Sequence, residues 1–241
     1  MNSEIEQPVT ISELPGYSVP WKFLDNWIGV ALLALIDVVI FVIMLQQDRR
    51  AELAQSAAVV LLELAYLLPV IFIFAWRRIH WRHLGFRPFN GNTLRIGCGL
   101  LIGSYLIIIL HNALLYFLGV DTQGENIVRL FAELDSPVWF LIVGAVFAPL
   151  VEEVFFRGFL FQGFRARYGW VTAMLLSAAI FAVAHLDLVV LIPTFILGCL
   201  LAYVFHRSNS IWPGVILHFL VNSFGLLGAY FASNYQNLIP T

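Results

Sequence analysis

Long apolar runs separated by short polar breaks dominate the chain. Such runs lie near 27–45, 57–76, 96–118, 138–160, 171–186, 189–205 and 211–231. Each approaches the roughly 20 residues that a helix needs to cross a bilayer. Strand-like alternation over ten-residue blocks is absent, so a membrane β-barrel is excluded and helices are the remaining way to satisfy a backbone in lipid. The pattern predicts an all-α polytopic membrane protein: a bundle of about seven (six to eight) transmembrane helices. Runs 171–186 and 189–205 leave almost no room for a loop between them. The stretch 125–134 has the amphipathic pattern of a short interfacial helix. Before the first run, residues 1–26 read as a loose cytosolic tail, acidic at Glu4, Glu6 and Glu13 and broken by Pro8, Pro15 and Pro20. Residues 27–241 then form a single transmembrane domain without internal repeats.

Composition reinforces this reading. Hydrophobic residues make up 61% of the 241 and charged residues 12%, against about 45–50% and about 25% in soluble domains. The chain could not cover a water-facing surface, and its 36 aromatic residues exclude disorder. A net charge of −2 advertises no nucleic-acid partner. Cys98 and Cys199 both fall in apolar runs and read as free thiols rather than a disulfide or a metal pair. With the amino terminus in the cytoplasm, nine basic residues fall on the inner side: Lys22, Arg77, Arg78, Arg82, Arg87, Arg95, Arg165, Arg167 and Arg207. Arg49, Arg50 and Arg129 fall outside, and Arg157 lies within a run. This distribution favours an inward amino terminus and a cell-membrane location. It leaves the oligomeric state open.

Charged side chains inside a span cost about 2.5–3.5 kcal/mol each on insertion scales, so those that persist are candidates for function. Here they are Asp37, Glu63, His111, Glu152, Glu153, Arg157, His185 and His218, with Asn222 as a neutral companion. Glu152 and Glu153 are adjacent on a helix and can both face one cavity. Glu153 and Arg157 stand at i,i+4, so that pair can neutralise one carboxylate and leave Glu152 free as a general base. Phe181 and His185 share a face, as do His218 and Asn222. A base, two imidazoles and an amide can activate water and stabilise an oxyanion. The same groups can instead hold a divalent metal through two His and a Glu. Asp37, Glu63 and His111 belong to no such set. They read as structural polar contacts near helix ends, or more sharply as lining for a substrate or water path.

Three motifs, Glu-Glu-x-x-x-Arg at 152–157, Phe-x-x-x-His at 181–185 and His-x-x-x-Asn at 218–222, follow one another on successive apolar runs. Thirty-three residues separate Glu152 from His185, and another 33 separate His185 from His218. Together they resemble the CPBP intramembrane protease family, also called the ABI family. It includes type II CAAX prenyl proteases and bacteriocin-processing or self-immunity proteins. The resemblance covers roughly 138–231, the expected catalytic core. It implies an intramembrane endopeptidase acting on a lipidated or membrane-embedded peptide or protein within the bilayer. Glu152 and His185 would activate water, His218 and Asn222 would stabilise the oxyanion, Glu153 would belong with them to the catalytic set, and Arg157 and Phe181 would support it structurally. One divalent metal, zinc by preference, on Glu152, His185 and His218 is one version of that mechanism; a glutamate-based reaction is the other.

The motif side chains Glu152, Glu153, His185, His218 and Asn222 are thus expected to line one cavity. Depth fits this imperfectly. At 1.5 Å per residue, Glu152 lies about 21 Å from the outer start of its run and His218 about 10 Å from the inner start of its own. His185 would fall nearer the outer leaflet unless its run is tilted, starts late, or breaks near Asp187 and Pro193. A small transporter using buried Glu and His as proton sites, and a non-catalytic immunity protein on the same scaffold, are the competing functions. Paired broken helices or an inverted repeat would mark the transporter, and the sequence has neither.

Overall fold

Apolar runs uninterrupted by charge or proline become helices, and the computed structural model describes residues 18–46, 61, 63–134 and 137–236 in these terms. Among them there is no strand. In chain order the helices are α1 (Phe23–Gln46), α2 (Leu67–Arg77), α3 (Gly91–Phe117), α4 (Gln123–Glu133), α5 (Pro137–Tyr168), α6 (Trp170–Ala184), α7 (Leu191–Ser208) and α8 (Trp212–Gln236). Residues 63–65 are also helical and lead through Tyr66 into α2. The tail expected at 1–26 lies outside the described residues up to 17. α1 begins at Phe23, four residues earlier than the apolar run.

Among the described residues, five helices rather than seven are long and apolar enough to cross a membrane: α1, α3, α5, α7 and α8. Two expected spans fall short. Residues 57–60 and 62 of the run 57–76 lie outside the described residues, and α2 itself has 11 residues. α6 has 15, about 22 Å of helix against a hydrocarbon core of about 30 Å. It stops because His185 caps it and Leu186 takes a left-handed conformation (φ 52) that turns the chain. The Asp187 carboxylate then accepts the Val189 N–H at 2.8 Å, and α7 starts at Leu191. Pro193 sits in the first turn of α7, where its missing N–H costs nothing. The apolar stretch is thus broken at 185–190, the break near Asp187 being one of the three alternatives the sequence left for His185.

α5 forms the centre. It is the most buried of the five long helices, and it widens into π turns at 143–147 and 154–161. Phe155, Phe156, Phe159, Leu160, Phe161 and Phe164 are fully buried against Trp21, Phe74, Phe181 and Phe205. α1 and α2 pack on one side of this aromatic core, and α6, α7 and α8 close the other. α3 turns Ile102, Leu106, Leu110 and Phe117 outward, each two-thirds exposed or more, as a lipid-facing helix should.

One end of the bundle is tied by backbone contacts. The Gly85 carbonyl accepts Ile211 N–H, the Ser210 hydroxyl donates to the Arg87 carbonyl, and the Gln162 amide donates to the His83 carbonyl. Gly85 has φ +88 and faces the Phe205 ring so closely that a Cβ would come within 2.8 Å of it, so glycine is required there twice over. Asp25 of α1 receives Arg77 of α2 at 2.7 Å. At the other end, the amphipathic 125–134 stretch becomes α4, opened by a capping box between Thr122 and Glu125. Its Phe131 packs beneath Leu226 and Ala229 of α8.

Candidate active site

Glu152 and Glu153 end an α-helical turn of α5 just before the second π segment. Both are buried, and their carboxylates have different surroundings. Glu153 is wholly enclosed and takes Arg157 Nη1 at 2.8 Å on Oε1. Arg157 is itself 1% exposed, donates through Nη2 to the Gly198 carbonyl at 3.2 Å, and lies with its guanidinium 4.4 Å from the Phe181 ring centre. A planar guanidinium suits this use of carboxylate, carbonyl and aromatic face together. α8 can approach Glu153 because residue 214 is glycine: a Cβ there would fall 2.5 Å from Glu153 Oε2.

Glu152 faces a cavity of about 460 Å³ whose walls also include His185, His218 and Asn222. Glu153 is not on its wall. The expectation that all five motif groups line one cavity is therefore corrected to four, because the Arg157 pair holds Glu153 back in the aromatic core. Glu152 is 6% exposed, and its Oε2 has no hydrogen-bond partner among the described residues.

His185 sits at the carboxyl-terminal cap of α6, and its Nδ1 lies 2.8 Å from the Phe181 carbonyl oxygen. A carbonyl only accepts, so Nδ1 carries a proton, and in the neutral ring Nε2 is the nitrogen with the lone pair. Phe181 packs edge-on against His185 and His218, with ring centres 4.8 and 5.8 Å away. His218, 2% exposed, stands between the two carboxylates, with Nε2 3.7 Å from Glu152 Oε2 and Nδ1 3.5 Å from Glu153 Oε1. Asn222, one turn further along α8, donates Nδ2–H to the Gly144 carbonyl at 2.8 Å in the first π turn of α5. Its second N–H is unclaimed by that bond.

The donor types Glu152, His185 and His218 suit zinc. Among the described residues, however, no three His, Cys, Asp or Glu side chains are gathered closely enough to hold a metal ion. The cysteines stay apart as free, half-buried thiols. The cavity wall also includes Glu63, Tyr105, Gln123 and Thr194. Only Glu63 carried a sequence signal, its charge within an apolar run, and nothing in its spacing tied it to the motifs. His111 lies elsewhere on α3, its ring 3.3 Å from the Asn112 side chain.

A buried carboxylate, two imidazoles and an amide thus surround one cavity in a bundle of apolar helices. Residues 134–224 match the Type II CAAX prenyl endopeptidase Rce1-like family. The chain is similar to YdiL of Bacillus subtilis (strain 168), whose description as a membrane peptidase is itself provisional. Identity is 27% over 109 residues, 45% of this chain and 45% of YdiL. It is also similar to an uncharacterized 24.3 kDa protein of Escherichia coli, 28% identical over 179 residues, 68% of this chain and 76% of that one. The match thus spans under half of YdiL's length. No solved structure matches.

Proposed function

We propose that the chain is an intramembrane endopeptidase that hydrolyses a peptide bond in a membrane-embedded or lipidated peptide or protein. The observation that carries this reading is the presence of two acceptors on one cavity: the unpartnered Glu152 Oε2 and the free Nε2 of His185. A water that donates one hydrogen bond to each of these turns a lone pair toward a scissile carbonyl. Glu152 takes a proton from the water as its oxygen bonds the carbonyl carbon. The resulting oxyanion receives the second N–H of Asn222 and, when His218 is protonated, an imidazolium N–H. Glu152 then returns its proton to the leaving nitrogen as the C–N bond breaks. Glu153, Arg157 and Phe181 act behind these groups as positioning residues, holding both imidazoles by packing and charge.

Each of these steps uses side chains of the chain itself. A divalent metal on Glu152, His185 and His218, zinc by its donor preferences, would add Lewis-acid polarisation of the water. CAAX-type and leader-peptide substrates both suit an entry from lipid. We further propose that α6 and the segment leading into α2 complete a bundle of about seven helices. The amino terminus would then lie in the cytoplasm of a cell-membrane protein.

The test is the initial cleavage rate of a lipid-anchored reporter peptide by purified variants. Glu152→Gln and His185→Ala are each expected to lower it by about 10²–10⁴-fold, the scale of general-base loss, while the protein still inserts and folds. Full activity in Glu152→Gln would refute the reading. A parallel series with chelator separates the two versions: loss restored by added zinc supports the metal, and unchanged rates support the glutamate.

A further inference from the structure

The cavity that holds Glu152 is closed differently at its two ends. Its wall begins well inside the end of the bundle where the arginine-bearing loops lie. His218 is six residues along α8 from Trp212, Leu101 is ten along α3 from Gly91, and Leu197 is eleven before Ser208, the last residue of α7. At 1.5 Å per residue these are depths of about 9, 15 and 16 Å. An apolar plug fills the space between them and that end: Leu200, Leu201, Val204 and Leu217 are buried, with Leu94 and Cys98 of α3 packed against them. α3 closes on the plug because residue 97 is glycine. A Cβ there would collide with the Leu217 side chain and stand 3.2 Å from that of Val204. On α5, every residue from Val151 to Phe164 is buried. Interiors packed in this way have few voids that admit a water, so the basic end offers no passage to Glu152.

The other end is built by α4. Gln123 and Ile127, one helical turn apart, stand on the cavity wall beside Tyr105 and Ile108 of α3. The second half of α4 is anchored: Phe131 is buried edge-on to Phe140 and Tyr230, with ring centres 5.4 and 5.8 Å away. Its first half is lightly held. Gln123, Gly124, Glu125 and Asn126 are all exposed, and Gly119 turns the chain just before them at φ +68. Exposure along the wall rises in the same direction. His218 is at 2% and Glu152 at 6%, Asn222 and Gly144 are half-buried, and Tyr105 reaches 37%. The separate cavity of about 420 Å³ that Asp37 lines, between α1 and α6, shares no wall residue with this one.

We propose that water and the soluble part of the substrate reach Glu152 through a mouth between α3 and the first half of α4, flanked by Tyr105 and Gln123. The substrate is then a membrane-tethered peptide presented on the face opposite the basic loops. This access route rests on the peptidase reading and narrows its substrate class. With the basic end in the cytoplasm, the substrate is an exported peptide. A lipidated tail on the cytoplasmic face meets the plug instead. The Tyr105 phenol and the Gln123 amide offer donors and acceptors to a peptide backbone on its way in.

The test uses the full chain in spheroplasts and in inverted membrane vesicles, with Cys98 and Cys199 replaced by alanine. Pro88→Cys, exposed in a basic loop, reports by maleimide labelling which preparation shows the basic end to the medium. An acylated decapeptide with a charged segment that cannot cross the bilayer is added outside, and cleavage is read by mass spectrometry. It should be cut where Pro88→Cys is protected and left intact where Pro88→Cys reacts. The cutting preparation should be the spheroplasts; if it is the inverted vesicles, the exported class falls. Val221→Cys, on the cavity wall, should react with a small charged methanethiosulfonate from the same face as the peptide and not from the basic face. Ile108→Cys on that wall repeats the reading should Val221→Cys not fold. A bulky maleimide on Gln123→Cys should abolish the cleavage that this variant shows before modification, while the same adduct on Pro88→Cys leaves the rate unchanged. Cleavage or wall labelling from the basic face would overturn the proposal. So would wall cysteines that react from neither face, or turnover that survives modification at 123. Wall labelling from the α4 face without cleavage of any peptide would sink the peptidase reading and leave the route standing.

Discussion

Glu152 and Glu153 are neighbours in sequence and separate in environment. One keeps an open oxygen on the cavity, and the other is sealed against Arg157 in the aromatic core. Removing one partner of a buried ion pair strands the other, at a cost of about 3–5 kcal/mol. Arg157→Met is therefore expected to lower the thermal unfolding midpoint in detergent sharply, and Glu153→Gln added to it should restore part of the loss. A double variant as unstable as the single one would show that the pair is not what holds this region. Asn222→Ala removes one oxyanion donor and leaves the water-activating groups intact. Its kcat should fall on the order of 10²–10³-fold with KM little changed, measured on the same reporter. Spacing made several local relations legible. Four residues set Phe181 against His185, Glu153 against Arg157, and His218 on the face of Asn222. The place of Glu63 on the wall of the motif cavity was not legible, because no periodicity within its own run ties it to residues on α5, α6 and α8.

At the scale of elements, hydropathy marked where apolar helices lie, and it was least informative where one stops. The runs 171–186 and 189–205 are almost continuous in apolarity. Their separation depends on a left-handed Leu186 and the Asp187 side chain turn, features a hydropathy window averages away. The π turns of α5 are equally silent in composition, and one of them contains the Gly144 carbonyl that Asn222 bonds. The approach of α8 to α5 depends on a single missing methyl, since a Cβ at position 214 would collide with the Glu153 carboxylate. Gly214→Ala must push α8 outward or turn Glu153, and either change moves His218 relative to Glu152. We expect Gly214→Ala to reduce cleavage at least tenfold while helical content by circular dichroism stays at the wild-type level. Unchanged turnover would mean that the 3.7 Å spacing of His218 and Glu152 is not one the reaction needs.

For the whole molecule, charge separates the two ends. Arg77 ends α2 and Arg78, Arg82 and Arg87 follow it, Arg165 and Arg167 lie in the last turn of α5, and Arg207 in the last turn of α7. The carbonyls of His83, Gly85 and Arg87 tie these segments into one surface. His83 on that surface is held below the usual histidine range, by burial first and then by Arg82, Arg87 and His80, so the basic charges act on one another. The opposite end has Asp121 paired with Arg129, and the acidic first turn of α4 at Glu125. Basic loops are retained on the cytoplasmic side, so the basic end is proposed to face the cytoplasm. Single cysteines test this after Cys98 and Cys199 are replaced by alanine. Pro88→Cys, exposed in the basic loop, should resist a membrane-impermeant maleimide added to intact cells and react once they are opened. Leu118→Cys, at the far end of α3 and 65% exposed, should react in both. The reverse pattern would invert the molecule and with it the side from which a substrate's soluble segment reaches Glu152.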